Sequence, residues 1–216
     1  MPDLRSDPQW PFLRLPDDAP RACVYGCSPH KGGNTDFASA LIEGELADMG
    51  VDFRSAFLRE YRIDFCIGCH ACAEPGKLGK PCIFSGKDDC ERLFEPLLGS
   101  EKLFFTAPIY FYHLPALFKG WIDRCQSYWN LRRLGSFLLE NLPRRKAHVV
   151  LVCAREKGEK IFQGSLLSLR PFLEPFNIEL AEPLLLRGLD GPDDLASDRE
   201  IQEEITAYVR GACGDA

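Results

Sequence analysis

Residues 21–36 read RACVYGCSPHKGGNTD, and the way this stretch divides decides the fold. RACVYGC (21–27) has the length and apolar content of a buried strand, and it runs straight into turn residues. After Asn34 the apolar positions Ala38, Leu41, Ile42, Leu46 and Met49 recur at helical spacing, and Gly50 stands where a helix would end. A helix start leaves backbone N–H groups unpaired and carries partial positive charge, so a phosphate can be held there. Gly32 and Gly33 let the backbone approach an anion closely, Ser28 and Thr35 offer hydroxyls, Lys31 adds charge, and Asn34 is placed to cap the helix. The spacing fits neither the P-loop nor the dinucleotide fingerprint, which leaves a mononucleotide as the better match. A plain strand-to-helix turn uses the same residue types, so the rest of the chain has to discriminate.

Working outward, four more strands are expected: VDFRSAFL (51–58), LFFTAP (103–108), AHVVLVCA (147–154) and LAEPLLL (180–186). The mixed polarity of 51–58 suits a sheet edge. Between them, helical periodicity recurs. Asp88 and Asp89 precede Leu93, Phe94 and Leu97; Leu114, Leu117, Phe118, Trp121, Ile122 and Cys125 line one face; Leu166, Leu169 and Leu173 form a third set. Ile201, Ile205, Tyr208 and Val209 suit a terminal helix. Strict strand–helix alternation predicts an α/β domain with a doubly wound, five-stranded parallel sheet in three α/β/α layers. Ligands of such folds bind beyond the carboxyl ends of the strands, so the residues following the first, third and fourth strands are the candidate site.

Composition narrows the class. Hydrophobic residues make up 45% and charged residues 27% of the 216 residues, the balance of one globular domain. The net charge is -6 and the basic residues form no stripe, which argues against nucleic acid as a partner. No apolar run has the length of a membrane span, and MPDLRSDPQWPFLRLPDDAP (1–20) lacks the apolar segment of a signal peptide. A cytoplasmic chain is expected, with residues 1–20 an extended leader ahead of a domain over 21–216. Trp10, Phe12 and Leu13 are expected to pack on the domain or on a second subunit, since exposed aromatics at that density are disfavoured.

Ten cysteines in a reducing compartment read as metal ligands or core residues rather than disulfides. Five crowd into an insertion over 59–90: Cys66, Cys69, Cys72 and Cys82, followed by Cys90. The first three are spaced by two intervening residues, a pattern that lets thiolates converge on one turn. With a more distant fourth thiolate this suits a 4Fe–4S cluster, although zinc accepts the same donors. Cys90 reads as a buried helix residue and a spare ligand, and His70 as solvent-facing.

GCSPHKGGNTD (26–36) and TAPIYFYHLPALFKGWIDR (106–124) resemble the NAD(P)H-dependent FMN reductases and iron–sulfur flavoproteins of the flavodoxin-like superfamily. That resemblance implies a flavodoxin-like fold and FMN, its phosphate held by Ser28, His30, Lys31, Gly33, Asn34 and Thr35. It places Pro108, Ile109, Tyr110 and Phe111 along the isoalloxazine ring and makes Ala154 and Arg155 a third contact. His30 stands where the family often has arginine, and AEPGKLGKP (73–81) separates Cys72 from Cys82 by more than is usual there. The resemblance further implies NAD(P)H as electron donor, a small-molecule or protein redox partner as acceptor, and a homodimer or homotetramer. His113, Asp123 and Arg124 receive no catalytic role. The competing reading is a non-catalytic electron carrier or redox sensor.

Overall fold

The computed structural model describes residues 5–214; the first four residues of the leader lie outside the described residues. In chain order the elements are β1 (Ala22–Gly26), α1 (Asn34–Asp48), β2 (Phe53–Phe57), α2 (Pro75–Leu78), α3 (Cys90–Gly99), β3 (Lys102–Pro108), α4 (Ala116–Arg124), α5 (Gln126–Arg133), α6 (Phe137–Glu140), β4 (Arg145–Cys153), α7 (Gln163–Leu173), β5 (Ile178–Leu180), β6 (Leu184–Arg187), α8 (Asp194–Ser197) and α9 (Arg199–Gly214). All strands pair in parallel, in the order β2-β1-β3-β4-β5, with β6 also on β4.

The strands alternate their side chains between two cores, as the twofold period of a strand requires. Cys23, Tyr25, Leu103, Phe105, Val149 and Leu151 face a large core shared with α3, α4, α5 and α7. Ala22, Val24, Phe104, Val150 and Val152 face a smaller one under α1 and α9. The larger core is aromatic: Tyr25 stacks on Phe105 at 4.7 Å between ring centroids, and Phe94 and Phe172 pack against Trp121 at 5.4 and 5.0 Å. Fully burying each such ring contributes roughly 1.5–3 kcal/mol.

The fifth strand differs from the expected single run over 180–186. It is two short strands, β5 and β6, on the same edge of β4. Pro183, which has no N–H to give to a ladder, lies in the gap. There the Tyr208 hydroxyl of α9 accepts from the N–H of Val149 at 3.1 Å and donates to the Glu182 carbonyl at 2.8 Å. A side chain thus substitutes for the missing ladder bonds. The helix expected around 114–125 likewise continues beyond Cys125 as α5, with a break at that residue.

The leader is part of the core. Trp10 and Leu13 are buried in the aromatic cluster and Phe12 packs against it. Asp7 clamps this segment to α6: its carboxylate accepts from the N–H groups of Gln9, Trp10 and Leu138 and from the Ser136 hydroxyl. Burial works against ionisation of Asp7, but those hydrogen bonds outweigh it and hold its carboxyl below the ordinary value. Stability from this group is therefore present above the usual carboxylate range, about pH 4, and is lost as pH falls through the lower folded-state value. Asp7→Ala is expected to cost roughly 1–3 kcal/mol at neutral pH. Urea midpoints of variant and wild type should converge below about pH 4; a gap that persists undiminished in acid would show that the carboxylate is not the clamp.

Candidate active site at the carboxyl edge

The chain leaves β1 at Gly26 and reaches α1 through residues 27–33, over the carboxyl ends of β1 and β3. Gly32 takes φ +80°, a conformation that glycine adopts without steric cost. Its N–H donates to Asp36 Oδ2 at 2.8 Å. Asp36 is gripped by both Nη atoms of Arg59, at 2.8 and 2.9 Å, and Arg59 Nη1 also donates to the Ser28 carbonyl at 3.3 Å. The loop is therefore tied to the end of β2 by a fork-to-fork ion pair that is mostly shielded from solvent.

Gly33, not Asn34, is the N-cap of α1, and no side chain caps it. The Asn34 amide is used elsewhere: Nδ2 donates to the carbonyls of Gly191 (2.7 Å) and Leu189 (3.4 Å), and Oδ1 accepts from the N–H of Leu195 (3.0 Å). Asn34 is a brace between the cradle and the segment after β6. The helix start remains open to an anion, which its N–H groups and dipole favour.

A cavity of about 390 Å³ opens at this edge, within the size range of small-molecule sites. Ser28, His30, Gly33, Asn34, Thr35, Pro108, Ile109, Tyr110 and Ala154 line it. Lys31, Phe111 and Arg155 do not. Lys31 is exposed at the loop tip, where nothing draws it inward. Sequence reasoning missed Val152, Leu189, Asp190 and Pro192. The last three belong to the loop after β6, and the carboxyl-edge rule would have found them had it been applied to the fifth strand as well as to the first, third and fourth.

The turn after β3 explains Phe111 and Arg155. Tyr110 and His113 exchange backbone hydrogen bonds at 2.8 and 3.0 Å, closing a two-residue turn. Phe111 and Tyr112 both have positive φ, 48° and 65°, as a type I′ turn demands. Aromatic residues in that conformation are strained by roughly 1–3 kcal/mol each. Phe111 occupies the tip and is fully exposed, while Arg155 donates to the Tyr112 hydroxyl at 2.9 Å and lies over its ring. His113 anchors the other side: Nδ1 accepts from the Leu114 N–H at 2.9 Å, which leaves the proton of the neutral ring on Nε2, 3.0 Å from Ser168 Oγ. Burial, aided by the charge of Lys119, lowers the His113 pKa. Both nitrogens are engaged in holding the turn.

The thiols gather at a second cavity. Cys66, Cys69, Cys72 and Cys82 all line one cavity of about 580 Å³, walled on the far side by Arg124, Ser127, Asn130 and Arg133 of α4 and α5. Asn130 Nδ2 donates to Cys72 Sγ at 3.1 Å. Burial pushes the Cys72 thiol up, and the Asn130 bond partly offsets it. His70 also borders the cavity and is exposed. Cys90 is fully buried on α3, outside this lining. Among the described residues no three thiol, imidazole or carboxylate groups converge on one metal ion: the cysteines share a chamber rather than a point. Asp123 and Arg124 do not pair with each other; Asp123 meets Lys119 at 2.5 Å and Arg124 meets Asp88 at 2.5 Å.

Gly164, near the start of α7, packs against the turn: a Cβ there would lie 2.7 Å from the Tyr112 carbonyl oxygen and 3.1 Å from the His113 ring. Gly164→Ala should therefore destabilise by roughly 1–3 kcal/mol through overpacking. Gly44→Ala, with open space around it inside α1, should instead stabilise by about 0.5–1 kcal/mol. Chemical denaturation of both variants measures the contrast; equal signs would contradict the close contact.

Comparison with known proteins places the chain in a family and a fold. The family model for NADPH-dependent FMN reductases matches residues 21–163. An iron–sulfur flavoprotein of Archaeoglobus fulgidus is 31% identical over 140 residues, 65% of this chain and 63% of its own length, so the chain spans less than two thirds of that relative. An iron–sulfur flavoprotein of Methanocaldococcus jannaschii is 28% identical over 97 residues, covering 45% of this chain and 47% of its own. Among solved structures, the NAD(P)H:quinone oxidoreductase from Methanothermobacter marburgensis superposes with a TM-score of 0.65 at 17% identity, over 90% of this chain and 94% of that one. An FMN-dependent NADH-azoreductase from Bacillus anthracis, in complex with FMN, gives 0.63 at 10% identity, over 88% and 99%. These structural likenesses establish a flavodoxin-like fold. The family match runs from the residue before β1 to the first residue of α7, through the cradle, the thiol segment and the turn after β3, and the chain belongs to the NADPH-dependent FMN reductase family.

Proposed function

We propose that this chain is an FMN-dependent oxidoreductase that passes electrons, drawn from NAD(P)H, to a small-molecule or protein acceptor, with a 4Fe–4S cluster held by Cys66, Cys69, Cys72 and Cys82. The observation that carries the reading is the helix start of α1, uncapped by any side chain and opening into the 390 Å³ cavity. Ser28 and Thr35, both buried, bring hydroxyls to that lining, and His30 lines it as well. Pro108, Ile109 and Tyr110 offer the flat apolar edge that an isoalloxazine ring requires. The thiol cavity supports the cluster through its donor set: four thiols in one chamber with two arginines on its wall.

FMN, when bound, supplies two-electron acceptance and one-electron release, while a 4Fe–4S cluster exchanges single electrons. The protein's own contribution is positional. Arg59 and Asp36 keep the cradle in shape, Asn34 fixes it to the segment after β6, and the braced turn at 110–113 sets the place of Tyr110. His113, with both ring nitrogens occupied, orients and does not transfer protons. The exposed aromatics Tyr110, Phe111 and Tyr112 beside the cavity support the expectation that a second copy covers this edge in a homodimer or homotetramer. A carrier or sensor without turnover is the second reading, in which the thiol cavity, which shares no lining residue with the carboxyl-edge cavity, would be the place where electrons enter or leave.

Anaerobic purification should yield protein with a flavin spectrum together with iron and sulfide, and NAD(P)H should bleach the flavin. A colourless preparation containing zinc would defeat the proposal, and reduction only by a low-potential protein donor would favour the carrier. Gly33→Val, which places a branched side chain at the cradle against the His30 ring, is expected to weaken FMN binding at least tenfold, about 1.4 kcal/mol. Cys72→Ala should lose iron while retaining FMN. Fluorescence titration with FMN and iron analysis of each variant check the two sites separately.

A further inference from the structure

We infer that Arg124 is the built-in counter-cation of the thiol cavity, a positioning residue whose guanidinium stabilises negative charge held there and so raises the reduction potential of the bound cluster. The inference rests on the cluster assignment proposed above.

Two arginines among the described residues are buried, and they differ in a telling way. Arg145, at the start of β4, spends its donors on backbone: Nε on Pro143, Nη1 on Ser100, and Nη2 on Leu97 and Phe176. It is a structural plug for carbonyls at the end of α3 and before β5. Arg124, at the end of α4, is only 1% exposed, yet its set is incomplete. Nη1 donates to the Asp64 carbonyl at 2.7 Å and to Asp88 Oδ2 at 2.5 Å, and Nη2 lies 3.9 Å from Glu91. Nε is buried with no hydrogen-bond partner. Leaving such a donor unmade is costly, and burying a guanidinium is costlier still unless something offsets it.

The surroundings point toward the cavity. Arg124 lines it and Asp88 does not. Asp88 is occupied on its own side, accepting from the N–H groups of Asp64 and Cys90 at 2.9 and 3.3 Å. Glu91, the other carboxylate in reach, accepts from the Ser85 hydroxyl at 2.6 Å. The Phe84 ring, part of the same lining, has its centroid 5.2 Å from the guanidinium carbon, and the Arg124 side chain is almost fully shielded from solvent, which strengthens charge interactions there. A cluster held by four thiolates is a net anion and gains one further negative charge on reduction. A fixed cation nearby favours the reduced form more than the oxidised one. No bond breaks in this step: one electron enters from a reductant such as dithionite, and Arg124 stays protonated throughout.

The test is an anaerobic dithionite titration of the cluster in the holoprotein, followed by electron paramagnetic resonance. Arg124→Gln removes the charge while its amide can still donate to Asp88. The expected result is a retained cluster whose reduction constant falls at least tenfold, about 59 mV more negative. Arg124→Lys keeps the charge and should stay within roughly threefold of wild type, about 30 mV. A cluster-bearing glutamine variant with the wild-type potential overturns the role of Arg124 while leaving the cluster assignment standing. If the glutamine variant does not fold, the lysine variant decides: loss of its cluster, or a tenfold shift, would mean that guanidinium shape and not charge matters. A wild-type chain that carries no iron and sulfide defeats the cluster reading, and this inference with it.

Discussion

Parallel pairing of β1, β3 and β4 is the constraint on which the rest of the molecule depends. In register, Gly26 of β1 faces Thr106 of β3, which faces Val150 of β4, so these strands end at one edge and discharge their loops side by side. An antiparallel partner would send one of those loops to the opposite end, and the cradle, the aromatic turn and the segment after β4 would not meet. The register is reinforced from the helix layer, where the Ser39 hydroxyl of α1 lies 2.7 Å from that of Thr106 in a fully buried pair. Helix and strand are locked at the level where the cradle begins.

The cradle is held from outside its own lining. Its shape depends on Asp36 with Arg59 on one flank and on Asn34 with the loop after β6 on the other, while the helix start between them is left uncapped by any side chain. This division is a form of pre-organisation: ordering costs are met by folding, so that a ligand does not have to meet them on binding. A surface ion pair contributes little, but the Asp36–Arg59 pair is largely shielded and bidentate, and it can hold a loop of this length in one geometry. The turn at 110–113 follows the same logic. Its backbone strain is sustained by Arg155 from one side and by His113, Ser168 and the open face of Gly164 from the other.

The thiol segment is organised by a different physics. Between Tyr61 and Asp89 it has little regular secondary structure and exposes Phe65 and Ile67. Polar bonds rather than a core hold it: Lys80 donates to the carbonyls of Ile83 and Ser85, Ser85 to Glu91, and Asp88 joins Asp64 to Arg124. Such a segment has little burial to stabilise it alone, so these polar bonds and the buried Arg124–Asp88 pair on the cavity wall become part of its stability.

The amino-acid sequence alone determined the alternation of strands and helices, the carboxyl-edge position of the candidate cavity and the grouping of four cysteines, because each is written in local periodicity or spacing. Gly50 ends α1 and Asp89 precedes α3 for reasons visible within a few residues. Only the tertiary structure decided the remainder. Asn34 looks like a helix cap locally, yet its amide is taken by Gly191 and Leu195, far along the chain. Pro183 splits the edge strand, and a tyrosine from the last helix fills the gap. Phe111 leaves the cavity because a strained turn, braced by α7, turns it outward, and Arg155 leaves it to pair with Tyr112 of that turn. Arg124 gains its meaning from Asp88 and from the wall it occupies. Each of these depends on which distant groups arrive within hydrogen-bonding distance, and periodicity carries no record of that.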